Sequence, residues 1–318
     1  MTNDTVTTFR TLLQTLRANV LAYDIYAAVT LSVYVVLAVL FYPKVDDASA
    51  IILTDLLIAV TVASVIVLNA MVPSPIILAV RRFYTVPVVY LMYEQVQAFV
   101  HIVHPRDYDD LLIAADRALF GTDPTVWLGQ IATPWLTEYL QICYFMFYLL
   151  PIMHAIEMAR TGREEAFNEF IRGIVYCYAI SYLLYFVMPA VGPRFTLHDF
   201  VMTDVDLPGL WLTPALRDIV NQGGGIPAGA GDPLASVNRD CMPSGHTMLT
   251  LVNIMLAFRL RSRLRWLFVL IGGSLIVATV YMRYHYVVDV IAGAVLAVVC
   301  LPFERVVHTW LLRRIGRA

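Results

Sequence analysis

Three short polar clusters interrupt an otherwise apolar chain: VMPAVGPRF (187–195), DCMPSGHT (240–247) and YMRYHYVVDV (281–290). In the third, His285 and Asp289 are four residues apart, which stacks their side chains on one helix face. Asp289 can accept a hydrogen bond from one imidazole nitrogen, fixing the tautomer and leaving the other nitrogen as a nucleophile or base. A carboxylate inside an apolar span is costly, and such groups are usually functional or paired. Arg283, two residues before His285, faces another direction or lies just outside the helix. In the second cluster, Pro243 suits the first turn of a helix. Ser244, Gly245 and His246 then lie among free backbone N–H groups, where an anion is attracted and glycine permits close approach. Ser244 can donate to a phosphate oxygen, and His246 can hand a proton to a leaving group. In the first cluster, Arg194 follows Gly192-Pro193 and offers a planar fork for phosphate oxygens. Two histidines, an orienting carboxylate, arginines and a helix amino terminus are the equipment for phosphoryl transfer.

Taken singly, each group has an ordinary reading. A histidine at a helix end is commonly an interfacial polar residue, His285 with Asp289 can be a structural hydrogen bond, and an arginine such as Arg194 can snorkel. Their arrival at one membrane face joins them. His101, His104, His154, His198 and His308 have no such context and read as structural.

The elements that must position these groups are membrane helices. Of 318 residues, 59% are hydrophobic and 14% charged, and the mean hydropathy is +0.71. A soluble domain of this length carries far more charge. Apolar runs of about 20 residues match the hydrocarbon thickness of a bilayer. The pattern predicts an all-α integral membrane protein, a polytopic bundle of about eight spans near 20–42, 51–72, 76–101, 133–159, 167–189, 243–259, 264–282 and 286–304. The net charge of −2 and the scattered arginines exclude a nucleic-acid partner. The four cysteines form neither a disulfide framework nor a CxxC metal pair. The first twenty residues lack the apolar core and cleavage site of a signal peptide.

With a cytoplasmic amino terminus, fifteen of the 22 basic residues fall on the cytoplasmic side and seven on the other. Both termini are then cytoplasmic, and the long loops 102–132 and 190–242 face the periplasm or exterior. The fifth span ends at the first polar cluster and the sixth begins at the second. The third lies between the seventh and eighth, so all three meet at the outer face. An arginine-rich chain with a single lysine fits a GC-rich bacterial source, and hence a bacterial inner membrane.

In the first long loop, Tyr108, Leu111, Leu112, Ala115 and Leu119 share a helical face, with Asp109 and Asp116 elsewhere. This predicts an amphipathic interfacial helix near 107–120. Asp107 and Asp109 also form a DxD, the metal-binding element of a lipid-linked glycosyltransferase, although acidic residues on such a helix are usually its solvated face. A non-catalytic transporter or scaffold is the third class. The glycines of NQGGGIPAGAGDP (221–233) are not followed by Gly-Lys-Ser/Thr and read as an outer turn.

At the polar clusters the chain resembles the phosphatidic acid phosphatase type 2 superfamily of membrane phosphoesterases. The residues are Pro243-Ser244-Gly245-His246, matched in full, and His285-x3-Asp289. The resemblance covers the six spans from about 76 to 304, within a core of residues 76–318, and leaves residues 1–75, with two helices, as an addition. It implies a metal-independent lipid phosphatase or phosphotransferase with no cofactor. His285 would attack phosphorus, Asp289 would orient it, and His246 would protonate the leaving oxygen. Ser244, Gly245 and Arg194 would bind the phosphoryl oxygens. The partner is a membrane phospholipid or lipid phosphate, with a lipid hydroxyl or water as acceptor. The chain departs from the superfamily pattern. Phe195 follows Arg194 in place of proline, Val187 replaces the lysine, and Ala278 and Thr279 replace Ser-Arg. Arg283 would then stand in as a phosphate contact, with Arg239 as a further candidate. Ser244-Gly-His-Thr247 and RYHYVVDV (283–290) are similar to the inositol phosphorylceramide synthase and sphingomyelin synthase branch, though the Asp of the latter's motif is not matched in register. Asp240 and Cys241 receive no role.

Overall fold

A computed structural model describes residues 3–314 and 316; Arg317, counted above among the cytoplasmic basic residues, lies outside them. The described residues form helices and no strand. The chain makes two compact units, Met1–Ile102 with Val307–Ala318, and Val103–Val306.

The first unit is built from α1 (Asn3–Asn19), α2 (Ala22–Leu40), α3 (Ala48–Met71), α4 (Pro75–Phe83) and α5 (Thr85–Val103). Ser74 and Pro75 start α4: the serine side chain accepts from the Ile77 N–H, and proline at the first position gives up no needed donor. Tyr23, Tyr34, Met92, Val96 and Phe99 are buried in this unit. So are Asp24 and Arg81, paired through both carboxylate oxygens at 2.9 and 2.7 Å. The helices α4 and α5, grouped above with the phosphatase-like segment, lie in this unit.

The second unit begins with α6 (Asp109–Phe120), α7 (Pro124–Gly129), α8 (Pro134–Phe145), α9 (Leu150–Arg160) and α10 (Glu164–Leu184). The long loop 190–242 holds α11 (Pro193–Thr196), α12 (Thr203–Asp206), α13 (Thr213–Gly223) and α14 (Pro233–Ser236). Then come α15 (Gly245–Arg259), α16 (Arg265–Tyr281) and α17 (Val287–Arg314), which belongs to this unit up to Val306. The carboxylate of Glu138 on α8 ties the loop down by accepting from the N–H groups of Leu210, Leu212 and Thr213. A buried cluster of Leu140, Tyr144, Leu207, Val220, Tyr281 and Met282 fills the space between α8, α13 and α16.

Four helices are long and apolar enough to cross a membrane: Ala22–Leu40, Ala48–Met71, Pro75–Val103 and Val287–Arg314. A fifth follows if Pro134–Tyr148 and Leu150–Arg160, bent by 51°, make one span. This identifies a helical membrane protein. Helices also stand at the other three predicted spans, but they are shorter or more polar. At 1.5 Å per residue, α15 and α16 reach about 22 and 25 Å, less than the ~30 Å of a hydrocarbon core. The first turns of α10 carry Glu164, Glu165 and Glu169.

Candidate active site

Backbone hydrogen bonds draw the three polar clusters together. The Arg194 N–H donates to the Arg283 carbonyl (3.0 Å), Cys241 N–H to Ala190 (3.2 Å), and Ser244 N–H to Asp289 (3.1 Å). The turn between α16 and α17 is wrapped tightly, with the N–H groups of Tyr284 and His285 both meeting the Thr279 carbonyl. Arg283 takes a left-handed φ of 65° there, an uncommon conformation for a side-chain-bearing residue. Gly192 has φ 96°, and a Cβ on it would stand 2.8 Å from the Tyr284 carbonyl oxygen. Only glycine fits that approach.

The histidines face each other. His285 Nε2 lies 3.4 Å from His246 Nδ1, while His285 Nδ1 lies 2.8 Å from the Cys241 carbonyl oxygen. A carbonyl only accepts, so Nδ1 carries the proton and Nε2 of a neutral His285 presents its lone pair. His246 Nδ1 is then the donor of the pair. The His246 ring packs on Tyr144 and Phe147, with centroids 4.8 and 4.3 Å away.

Asp289 is fully buried on the first turn of α17. Its Oδ2 accepts from the Tyr286 N–H and the Cys241 thiol, both at 2.9 Å, and lies 3.5 Å from His285 Nδ1. The backbone carbonyl of Cys241, which the sequence left without a role, is therefore the nearer partner of the imidazole. Burial, then the neighbouring Asp289 charge, pushes the Cys241 thiol up, which keeps it protonated as a donor. Sequence spacing gives no signal for this residue beyond its place beside the Pro-Ser-Gly-His motif.

Ser244 is buried as the N-cap of α15, its Oγ accepting from the Thr247 N–H at 3.2 Å. The helix thus starts at Gly245, with Pro243 just outside it. Above Gly245, where a Cβ would go, stand the Tyr185 and Ser181 hydroxyls at 2.6 and 3.0 Å. Arg194 is buried against the faces of Phe195, Phe200 and Tyr284 and donates to Asn221 Oδ1 at 2.9 Å. A cavity of about 310 Å³ adjoins it, lined by Arg194, Phe200, Asp204, Arg217, Asn221 and Tyr284, among others. Tyr284 stacks on Tyr144 at 4.5 Å, and Tyr144 on His246. The structure thus brings His285, Asp289, His246, Ser244 and Gly245 together, with Arg194 joined through its backbone. The Arg283 guanidinium is instead paired with Asp206 at 2.8 Å. Arg239 lies 3.7 Å from Asp107 and donates to the Val237 carbonyl.

Two acidic residues of α6, read from the sequence as part of a solvated face, are buried. Asp109 accepts from the N–H groups of Val191 and Gly192 and from the Tyr286 hydroxyl. Asp116 accepts from the N–H groups of Val287 and Val288. Burial pushes both carboxyls up, and the N–H donors pull them partly back. With both oxygens engaged, Asp109 does not offer the free carboxylate that a DxD metal site needs. Among the described residues, Cys241 Sγ, His285 Nδ1 and Asp289 form one group of donors close enough to share an ion. The in-plane direction of Nδ1 ends on the Cys241 carbonyl, so an ion there would displace that bond.

No curated protein and no solved structure matches the chain. The sequence profile of the PAP2 superfamily matches residues 110–303, from the first turn of α6 to the middle of α17. That stretch takes in all three polar clusters and supports a phosphatase- or phosphotransferase-type function in general. With more than half of its length matched, the chain belongs to the PAP2 superfamily.

Proposed function

We propose that this chain is a membrane lipid phosphatase or phosphotransferase that acts at the extracytoplasmic face through a phosphohistidine on His285. One observation carries the reading: the lone pair of His285 Nε2 and the donor of His246 address the same point, 3.4 Å apart, while Nδ1 is held from behind by the Cys241 carbonyl. Nε2 attacks phosphorus, the Nε2–P bond forms and the bond to the leaving oxygen breaks, with His246, as its imidazolium, supplying that oxygen's proton and becoming neutral. The His285 imidazolium is stabilised by Asp289 and the Cys241 carbonyl. Water or a lipid hydroxyl then attacks, gives its proton to His246 and releases His285. The free N–H groups at the start of α15, with Ser244, Gly245 and Arg194, hold the phosphoryl oxygens. Arg283 contributes a second cation once its pair with Asp206 opens. The protein's own groups supply every proton in this scheme, and it runs without a metal.

The cavity beside Arg194 gives room for the headgroup or acceptor. The Ser244-Gly-His-Thr247 and RYHYVVDV (283–290) likeness to the inositol phosphorylceramide synthase branch favours a lipid acceptor over water. In this reading the chain spans a bacterial inner membrane eight times with both termini cytoplasmic, α6 lies in the outer interface, and the histidine pair works at that face. To test this, purified protein is incubated with a panel of phospholipids and lipid phosphates, with and without ceramide or diacylglycerol. Mass spectrometry of the products then separates water from lipid as acceptor. Turnover is expected in the wild type and absent in His285→Ala; a His285→Ala protein that still turns over contradicts the phosphohistidine.

A further inference from the structure

The two buried carboxylates of α6 have no role in the chemistry above, yet each reaches an element that carries a part of it. We propose that α6 is a positioning brace: Asp109 fixes the Val191–Gly192 turn that presents Arg194, and Asp116 fixes the first turn of α17 that presents Asp289 next to His285. The brace takes its catalytic meaning from the phosphohistidine reading, but its contacts stand apart from it.

The buried face of α6 is Asp109, Leu112 and Asp116, spaced i, i+3 and i+7 along one stripe. Each carboxylate takes two consecutive backbone N–H groups, one on each oxygen. For Asp109 these are Val191 (3.0 Å, Oδ2) and Gly192 (2.8 Å, Oδ1). For Asp116 they are Val287 (2.9 Å, Oδ2) and Val288 (2.9 Å, Oδ1). A bidentate contact of this kind fixes orientation as well as distance. The Tyr286 hydroxyl adds a third bond to Asp109, at 2.8 Å. Between the carboxylates, Leu112 packs with Ala190, Cys241 and Tyr286 in one buried cluster. A rigid helix therefore sets the two anchors about 10 Å apart along its axis.

Burying a carboxylate costs several kcal/mol unless its lone pairs are filled. The four N–H groups themselves ask for less, since neutral acceptors or water satisfy backbone donors elsewhere. Two full charges make sense where rigidity and orientation matter. Asp116 also sits at the amino terminus of α17, where negative charge is favoured by the helix dipole. With Asp289 accepting from the Tyr286 N–H, that turn is held by one carboxylate from its own helix and one from α6.

The test uses full-length protein in detergent and three variants: Asp109→Asn, Asp116→Asn and, as a control on the same helix, the exposed Asp110→Asn. Hydrogen exchange is read on peptides covering 190–195 and 286–290, and orthovanadate is titrated as a probe of the phosphate contacts. Asp116→Asn is expected to speed exchange at 286–290 and, by loosening the turn that presents Asp289 beside His285, to weaken vanadate by about three- to tenfold. Asp109→Asn is expected to speed exchange at 190–195 and to weaken vanadate by about tenfold, the scale of a lost charge-assisted contact. Asp110→Asn should change neither. If Asp116→Asn does not accumulate, Asp116→Glu, which keeps the charge and lengthens the arm, should show the same segment-specific loosening. Equal loosening of both segments by either variant, or no change in either, overturns the brace. The exchange measurement decides it whether or not vanadate binds. A His285→Ala protein that still turns over would defeat the phosphohistidine and leave the brace standing.

Discussion

Each unit of this protein buries a set of charged and polar side chains, and the two sets are finished differently. In the first unit, Asp24 Oδ1 accepts from Arg81 Nη1 and the Tyr84 hydroxyl, and Oδ2 from Arg81 Nη2 and the Leu21 N–H. The guanidinium lies over the rings of Tyr23 and Tyr84, 5.1 and 5.4 Å from their centroids. Both oxygens of that carboxylate are filled. In the second unit, His285 and His246 turn ring nitrogens toward each other at 3.4 Å, and Asp289 Oδ1 is buried without a hydrogen-bond partner. A closed ion pair fixes the position of helices; a set with a lone pair and a donor left facing each other is equipped to react. Burial of charge alone does not distinguish the two; the chemistry of the groups brought together does, an ion pair in the first and two facing imidazoles in the second.

The largest expected effect breaks the second set. His285→Ala should lower turnover by at least about a thousandfold, and His246→Ala by about 10²–10⁴, the range for a lost general acid. Both proteins should insert and melt within a few degrees of the wild type, as read by phosphate release or headgroup exchange alongside thermal unfolding. The first set should fail in the opposite sense. Arg81→Ala leaves the Asp24 carboxylate buried and unpaired and should cost about 3–5 kcal/mol of stability. Joint replacement of Asp24 and Arg81 by apolar residues of similar volume should recover most of that loss. If Arg81→Ala is fully stable, the contrast between closed and open sets collapses.

Much of the second set could be read from the chain. Pro243-Ser-Gly-His246 and His285-x3-Asp289 are local patterns, and the structure joins them through the Ser244 N–H on the Asp289 carbonyl. Helices stand at each of the eight predicted stretches, but four of them, or five with the bent pair, are long and apolar enough to cross a membrane. What could not be read is the partner of each group. Asp109 and Asp116 meet N–H groups 82 and 171 residues away, and no periodicity records such a contact. Their placement opposite Leu111 and Leu119 suggests a solvated face, whereas the polar stripe is the buried one and those leucines are exposed. Arg283 offers the same lesson. Two residues from His285 it reads as a phosphate contact, but its left-handed backbone sends the guanidinium to Asp206. The Cys241 carbonyl is invisible to any reading of side chains.

Smaller effects sharpen the comparison at the edges of the site. Gly192→Ala sets a Cβ against the Tyr284 carbonyl at a positive φ, and should cost about 1–3 kcal/mol while lowering turnover. Equilibrium unfolding and activity on the same preparation would check it. The smallest concerns His198, whose Nε2 lies 2.9 Å from the Thr125 hydroxyl. Burial, helped by the Arg283 charge, holds its pKa down to about 4, from an ordinary 6.5. The unfolded chain therefore takes up a proton, between those values, that the folded chain refuses. Stability is complete above pH 6.5, falls as the pH drops toward 4, and loses about 1–3 kcal/mol in all. Melting His198→Gln and the wild type at pH 4.5 and 7.5 should show a smaller pH difference in the variant.

The central claim is that His285 carries the phosphoryl group, and the most direct measurement is to catch it there. The protein is mixed with phosphatidic acid labelled at phosphorus, quenched in base within milliseconds, digested and sequenced by mass spectrometry. The account predicts an acid-labile, base-stable label on the peptide containing His285, absent from His285→Ala and discharged by water or diacylglycerol. Turnover with no label on any peptide, or a label on a residue other than His285, would contradict it.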